Sequence, residues 1–219
     1  MSLNAANATG GSSPRPPALD PENYLARLVQ IMDLGIQKQR PYQGTEKAPI
    51  QEIMLTYELV TEFMPGEDGE PDTDRPRWVS ERIPLYNLKA EKAKSTLRYL
   101  ALDPAQKFKG DFSKLLGKPC LVAIVNNERN GVTYNNIGSV SPPIKGMTVA
   151  ALVNEPSILD LSNPDVEVFH SLPEWIQKII KEGLDYPKSG LASALRDGTV
   201  GKATVDTEEE EDEGDSFPL

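Results

Sequence analysis

The clearest structural signal in this sequence is the alternation of apolar and polar residues between positions 51 and 61, QEIMLTYELVT. A repeat of two residues is typical of a strand with one face in a hydrophobic core. The segment is therefore predicted to be a strand. Its core-facing residues are expected to be Ile53, Leu55, Tyr57 and Leu59.

Four further segments have strand character. Residues 77–85 are predicted to pair with the first strand as a hairpin, with Trp78, Ser80 and Arg82 on one face. The apolar run at residues 119–126 is typical of a buried strand, and residues 131–140 follow it after a turn ending in Asn-Gly. Residues 24–37 fit both a helix, by their apolar spacing, and a long strand bent at Gly35.

The order of these segments favours one fold class. Residues 89–102 have the pattern of an amphipathic helix, and residues 64–76 are predicted to be an acidic loop. If residues 24–37 form a strand, the order is three strands, a helix and two strands. This is the layout of the OB-fold, a five-stranded Greek-key barrel, in a mainly β protein.

Four regions are predicted along the chain. Residues 1–20 are a disordered arm, and residues 21–150 form the OB-fold domain. Residues 151–204 are an extension that thins into loops apart from one short helix at residues 172–180, which Trp175 is expected to anchor. Residues 205–219 are a disordered acidic tail.

The charge is unevenly distributed. The chain has 219 residues and a net charge of −10, and eight acids lie in residues 206–219. Without them the net charge is −2, and residues 24–150 carry 17 Lys and Arg against 15 Asp and Glu. The chain therefore combines a mildly basic body with a strongly acidic end, which the overall net charge does not show.

Several classes of protein are disfavoured. The single cysteine, Cys120, and the single histidine, His170, leave little for a zinc site or a nucleophilic triad. The phosphate-loop-like residues 110–118 have the wrong glycine spacing. We therefore expect no enzyme activity and no cofactor. Without a membrane-length apolar run or a signal peptide, a soluble protein is expected.

Basic residues are interleaved with aromatic ones where an OB barrel binds nucleic acid. Cations track phosphates, and aromatic rings stack on unpaired bases. The sequence leaves open whether Trp78 and Tyr134 belong to the core or to the binding face. The predicted DNA-binding residues are Lys38, Arg40, Tyr42, Lys47, Arg77, Trp78, Arg82, Tyr86, Lys92, Arg129 and Tyr134.

Six segments carry a resemblance to a known family: ARLVQIMDLG at 26–35, YQGTEK at 42–47, LTYEL at 55–59, GDF at 110–112, LGKPC at 116–120 and YNNI at 134–137. The chain resembles the bacteriophage single-stranded DNA-binding proteins, which have an OB-fold and an acidic C-terminus. The resemblance implies a role in phage replication or recombination in the cytoplasm of the bacterial host.

The tail ends in an apolar tip that a solubilising tail does not need. It also resembles the tail of bacterial single-stranded DNA-binding proteins, whose terminal Pro-Phe pair recruits replication and repair proteins; here the order is Phe-Pro-Leu. The resemblance implies such partners here. The predicted partner-binding residues are Asp212, Glu213, Asp215, Phe217, Pro218 and Leu219.

The first hypothesis is a protein that binds single-stranded DNA without sequence preference and recruits partners through its tail. The alternative is an OB-fold adaptor or DNA mimic that binds proteins and not DNA. A third is a cation-dependent nuclease that uses the acids of residues 67–74. The oligomeric state is left open, and a homo-oligomer is compatible with the sequence.

Overall fold

Five antiparallel strands form a nearly closed barrel. The computed structural model describes residues 16–198 and is mainly β. The strands follow the order β3-β2-β1-β4-β5 in one sheet, and β3 and β5 approach each other at its two ends. Their bounds are β1 Asn23–Gln37, β2 Ile50–Pro65, β3 Pro71–Pro84, β4 Pro119–Arg129 and β5 Val132–Ser141.

The strand interpretation of residues 24–37 is confirmed, and Gly35 is the bend. The register of β1 against β2 shifts between Asp33 and Ile36. Gly35 has a φ of +73°, and a Cβ there would lie 2.6 Å from Oδ1 of Asp185. Only glycine adopts this conformation without strain and leaves room for the carboxylate, which accepts the N–H of Ile36 at 2.7 Å.

The predicted acidic loop at residues 64–76 is wrong in extent. Pro65 pairs with Pro71 and Met64 with Asp72, so the strands continue around a turn at residues 66–70. Prolines and acids in this stretch suggested a loop. Pro71 is tolerated because the first residue of an edge strand needs no N–H for pairing, and the acids of the turn at residues 66–70 remain in solvent.

The predicted Asn-Gly turn is confirmed, although the strand before it is longer than the prediction. Asn130 and Gly131 have φ values of 53° and 71°, and Arg129 pairs directly with Val132. Two residues with positive φ form the tight turn that fits the twist of a hairpin.

A helix lies beside the gap between β3 and β5. This helix, α1 (Lys94–Leu102), begins later than the predicted residue 89, because residues 87–93 form turns closed by the Asn87 side chain and carbonyl. Arg98 of this helix is buried. It binds Glu81 of β3 through Nε at 2.6 Å and the carbonyl of Gly138 of β5 at 3.5 Å.

The extension after the barrel contains more structure than the predicted single helix. A short strand, β6 (Ser157–Leu159), pairs parallel to β1. Three short helices follow: α2 (Val166–Ser171), α3 (Glu174–Lys181) and α4 (Gly190–Asp197). The predicted helix at residues 172–180 corresponds to α3. The other two, α2 and α4, have six and eight residues and give too few periods for the sequence pattern to identify them.

The extension packs on the outside of the barrel and makes a second core. The barrel interior holds the first, with Tyr57 fully buried as predicted. The second is formed where Met32, Leu34 and Met54 on the outer sides of β1 and β2 meet Phe169 and Ile180 of the extension. We call this region the covered face.

The predicted anchoring role of Trp175 is wrong. Its side chain is 56% exposed, whereas Ile176 and Ile180 of the same helix are buried in the second core. These two isoleucines are four positions apart and share one side of α3, so they dock the helix while the tryptophan points away.

Candidate nucleic-acid interface

Three predicted cations surround one depression on the barrel surface. Lys38 and Arg40 directly follow β1, and Arg82 projects from β3. The depression has a volume of about 330 Å³ and is also lined by Gln39 and Glu52. Three positive charges and one carboxylate give this small surface a net positive charge, which suits an anionic ligand.

Arg82 is already paired within the depression. Its Nε donates to Oε2 of Glu52, and its Nη2 lies 3.4 Å from Oε1 of Gln37. The Glu52 carboxylate therefore occupies the position that a phosphate oxygen would take on the guanidinium. Lys38 and Arg40 are exposed, and no side-chain ion pair joins either of them to another residue described in the structure.

Trp78 lies on the same side of β3 as Arg82, because the strand alternates and the two residues are four positions apart. This side faces away from the barrel, since Trp78 and Arg82 pair with Glu58 and Met54 of β2. Four residues of strand separate their backbones by about 13 Å. The tryptophan ring is 42% exposed, so it is neither core nor fully solvated.

Glu58, the partner of Trp78 on the neighbouring strand β2, accepts a hydrogen bond from the edge of the indole ring. The indole Nε1 donates to Oε2 of Glu58 at 3.0 Å. Glu58 is fully buried and also accepts the backbone N–H of Val153 at 2.7 Å and the side-chain amide of Asn154 at 2.7 Å. A residue of β2 thus connects the exposed ring with the extension.

Tyr42 is presented at the tip of the loop between β1 and β2. Tyr42 and Thr45 exchange two backbone hydrogen bonds of 2.9 Å around Gln43 and Gly44, whose φ values are 49° and 78°. The tyrosine is 61% exposed, and the Nζ of Lys47 lies 4.9 Å from the ring centroid. The loop tip is therefore an exposed aromatic ring with a cation on one side.

The other predicted residues lie outside the depression. Arg77 is half-buried and alternates to the opposite side of β3 from Trp78. Tyr86 is 42% exposed just after β3, and Lys92 is exposed in the turns before α1. Arg129 and Tyr134 lie on the β4–β5 hairpin, where Tyr134 is 42% exposed.

Glu52 and Glu58 are site residues that the sequence reasoning missed. Each occupies an alternate position in β2 where a polar residue normally faces solvent. The pattern carries no information that Glu52 would pair with Arg82, or that a loop more than 90 residues away would bury Glu58. Only the position of the extension on the barrel reveals the second contact.

Two carboxylates of the proposed nuclease site accept hydrogen bonds from nearby backbone N–H groups. Asp68 accepts the N–H of Glu70 at 3.1 Å, and Asp72 accepts that of Asp74 at 3.2 Å, within the β2–β3 turn region. Across residues 16–198, no three His, Cys, Asp or Glu side chains are grouped so that they could hold a metal ion. Cys120 is buried, and this burial raises the pKa of its thiol to about 12.

A larger cavity of about 580 Å³ lies at the edge of the covered face, between the β1 bend and the start of α4. Asp33 and Asp185 line it together with Lys188 and Ser189. Burial and the nearby carboxylates of Asp160 and Asp185 raise the pKa of Asp33 above its ordinary value. Two carboxylates make this cavity a poor site for phosphate, despite its size.

No family model, curated protein or solved structure matches this chain. Among residues 16–198, no helix has both the length and the apolar character needed to cross a bilayer. The predicted partner-binding residues from Asp212 to Leu219 and most of the predicted N-terminal arm lie outside the described residues.

Proposed function

We propose that this protein binds single-stranded DNA across the outer face of β3 and the β1–β2 loop. The observation that carries the proposal is the grouping of Lys38, Arg40 and Arg82 around one depression, with Trp78 on the same side of β3 as Arg82. Phosphates would follow the three cations, and an unpaired base would stack on the indole. We define these four residues as the binding face.

The strand order supports an OB-fold for the barrel. After β3 and α1 the chain returns to pair β4 with β1, so β4-β1-β2-β3 is the spatial order. This order supports a Greek key, in which a fourth strand lies beside the first of three hairpin-connected strands. OB-folds bind oligonucleotides on the strand 2–3 face and the adjoining loops, which here include Trp78, Arg82 and Tyr42.

The exposure of the aromatic rings supports stacking. Trp78, Tyr42 and Tyr86 each expose two fifths or more of their surface, while Tyr57 of β2 and Tyr99 of α1 are fully buried. A ring left partly in water at a basic surface is available to an unpaired base, which contributes roughly 1–3 kcal/mol per stack. Placement in phage replication or recombination, with partners recruited by the tail, rests on the sequence resemblance alone.

The test is a titration of fluorescent oligonucleotides of equal length, single- and double-stranded, at two salt concentrations. The expected result is tighter binding of the single strand than of the duplex. The affinity should fall steeply as salt rises, because binding releases salt cations from the DNA phosphates and this release is less favourable at high salt. Absence of binding to single-stranded oligonucleotides at low salt would contradict the proposal. Binding to neither strand form would leave the adaptor or DNA-mimic alternative, which a search for protein partners would then address.

A further inference from the structure

Glu58 is the most unusual residue near the binding face. It is a carboxylate with no exposed surface. No ion pair joins it to a basic side chain anywhere in residues 16–198. Burying an unpaired charge is costly unless hydrogen bonds replace the lost water. Such a residue therefore needs a full set of donors, and these donors come from two different parts of the chain.

The donors of Glu58 connect the binding face to the extension. Oε2 accepts Trp78 Nε1 at 3.0 Å, Asn154 Nδ2 at 2.7 Å and the more distant Asn154 backbone N–H at 3.4 Å. Oε1 accepts the backbone N–H of Val153 at 2.7 Å. The oxygen that holds the indole is thus itself fixed by the extension.

This arrangement restricts the indole. A half-exposed tryptophan on a strand surface has rotamers that place its ring in different positions. A hydrogen bond from Nε1 to a buried, immobile acceptor favours the one in which the ring edge faces Glu58 and the remaining ring surface faces solvent. The cost of ordering the ring is then met during folding and not during binding.

We propose that Glu58 is a positioning residue that fixes the Trp78 ring for base stacking, and that Val153 and Asn154 of the extension complete this device. The inference rests on the proposed binding of single-stranded DNA. It assigns the extension a part in the binding face, although its side chains need not touch the nucleic acid. Glu58 acts through Trp78 and not on the ligand.

The experiment is a double-mutant cycle between Glu58→Gln and Trp78→Ala, read by oligonucleotide affinity. The amide replaces one acceptor oxygen with a donor, so one N–H loses its partner and the ring loses its fixed support. Glu58→Gln is expected to weaken binding about threefold to tenfold when Trp78 is present, and less than about twofold in the Trp78→Ala background. An equal loss in both backgrounds overturns the positioning role.

A spectroscopic readout separates positioning from general damage. The chain has two tryptophans, so Trp175→Phe leaves Trp78 as the single reporter. In this background Glu58→Gln is expected to lower the fluorescence anisotropy of Trp78, because the ring gains mobility. Unchanged anisotropy contradicts the proposal. If the Trp175→Phe protein binds no oligonucleotide, the proposed function fails, whereas the anisotropy still tests the positioning of the ring.

Two more variants keep the test decisive. Asn154→Ala removes one side-chain donor and leaves Glu58 in place. It is expected to lose less oligonucleotide affinity than Glu58→Gln, with the same dependence on Trp78. This variant replaces Glu58→Gln in the test if Glu58→Gln does not fold. Thr56→Val is the matched control, because Thr56 is buried on the same side of β2 but bonds Ser80 at 3.0 Å and not Trp78. A loss of affinity in Thr56→Val equal to that in Glu58→Gln overturns the inference.

Discussion

The outer surface of the barrel is divided into two regions with opposite environments. On the covered face, Met32, Leu34 and Met54 are almost fully buried beneath the extension. On the binding face, Trp78 and Arg82 occupy equivalent outward positions one strand away and remain partly in water. Both regions belong to one sheet, so the strand backbone alone does not determine which of them is covered.

The difference lies in the side chains at the outward positions. Where they are apolar, as at Met32 and Met54, burying them under helices provides the hydrophobic stabilisation that holds the extension on the barrel. Where they are cationic or polar, as at Arg82 and Ser80, covering them would require partners for each group. Glu58 lies at the border and is a polar residue for which the extension supplies these partners.

The largest expected effect is on the covered face. Phe169→Ala removes a fully buried ring from the second core and should lower the free energy of unfolding by about 3–5 kcal/mol. Denaturant titration measures the loss. The control is Trp175→Ala in the neighbouring helix, expected to change stability by about 0.5 kcal/mol or less because this ring is exposed. Equal losses in the two variants would show that the buried Phe169 contributes no more to stability than the exposed Trp175 and would contradict the second core as described.

The second effect is on the binding face. Trp78→Ala should weaken single-stranded DNA binding by about 1–3 kcal/mol. Stability should fall by only about 1 kcal/mol, since one of the donors to Glu58 is lost. Oligonucleotide titration and thermal melting measure the two quantities on the same protein. A collapse of the melting temperature with little change in affinity would place Trp78 with the covered face instead.

A third variant tests how the Glu52 carboxylate affects ligand binding at the depression. Glu52→Gln removes the carboxylate that pairs with Arg82, leaving the guanidinium for a phosphate, and should tighten binding by about 0.5–1 kcal/mol. The effect should shrink as salt is added. Glu167 of α2 is exposed and lies away from the depression, so Glu167→Gln makes the same change in net charge and is the matched control. Equal tightening in both would indicate a general effect of charge.

The smallest effect concerns Asp33 beside the covered face. Burial raises the pKa of Asp33 in the folded protein, so the folded state binds this proton more tightly than the unfolded state does. The resulting stabilisation is complete at low pH and is lost as the pH rises through the folded-state pKa. Asp33→Asn should therefore be more stable than the natural chain at pH 7, by less than about 1 kcal/mol. Denaturant midpoints should converge as the pH approaches 3.8, the ordinary value. A gain independent of pH would argue against this cause.

Much of the barrel could be predicted because its signals are local. The alternation around Tyr57, the bend at Gly35 and the Asn130-Gly131 turn each depend on a few neighbouring residues. The course of residues 64–76 was missed because prolines and acids at a sheet edge have the composition of a loop. Of the short helices in the extension, α3 was predicted from its apolar spacing, whereas α2 and α4 gave no reliable period.

The candidate site was predictable in residue type and less so in arrangement. Arg40 and Trp78 were predicted as binding residues from the interleaving of cations and aromatic residues, and the structure places both at the candidate interface. Pairing of Arg82 with Glu52, burial of Glu58 and exposure of Trp175 depend on contacts between distant parts of the chain. A periodic pattern states which residues share a side of an element, but not what that side meets.

The loop tip at Tyr42 limits how a bound strand could run. Lys47 stands over the tyrosine ring at 4.9 Å from its centroid, so one face of the ring already holds a cation. In the proposed binding mode a base would stack on the other face, because stacking on the first would require Lys47 to move. A ring with one free face ends a column of stacked bases and does not insert between two of them. Tyr42 would then lie at one end of the bound strand. Its position would limit the number of nucleotides that one protein molecule covers.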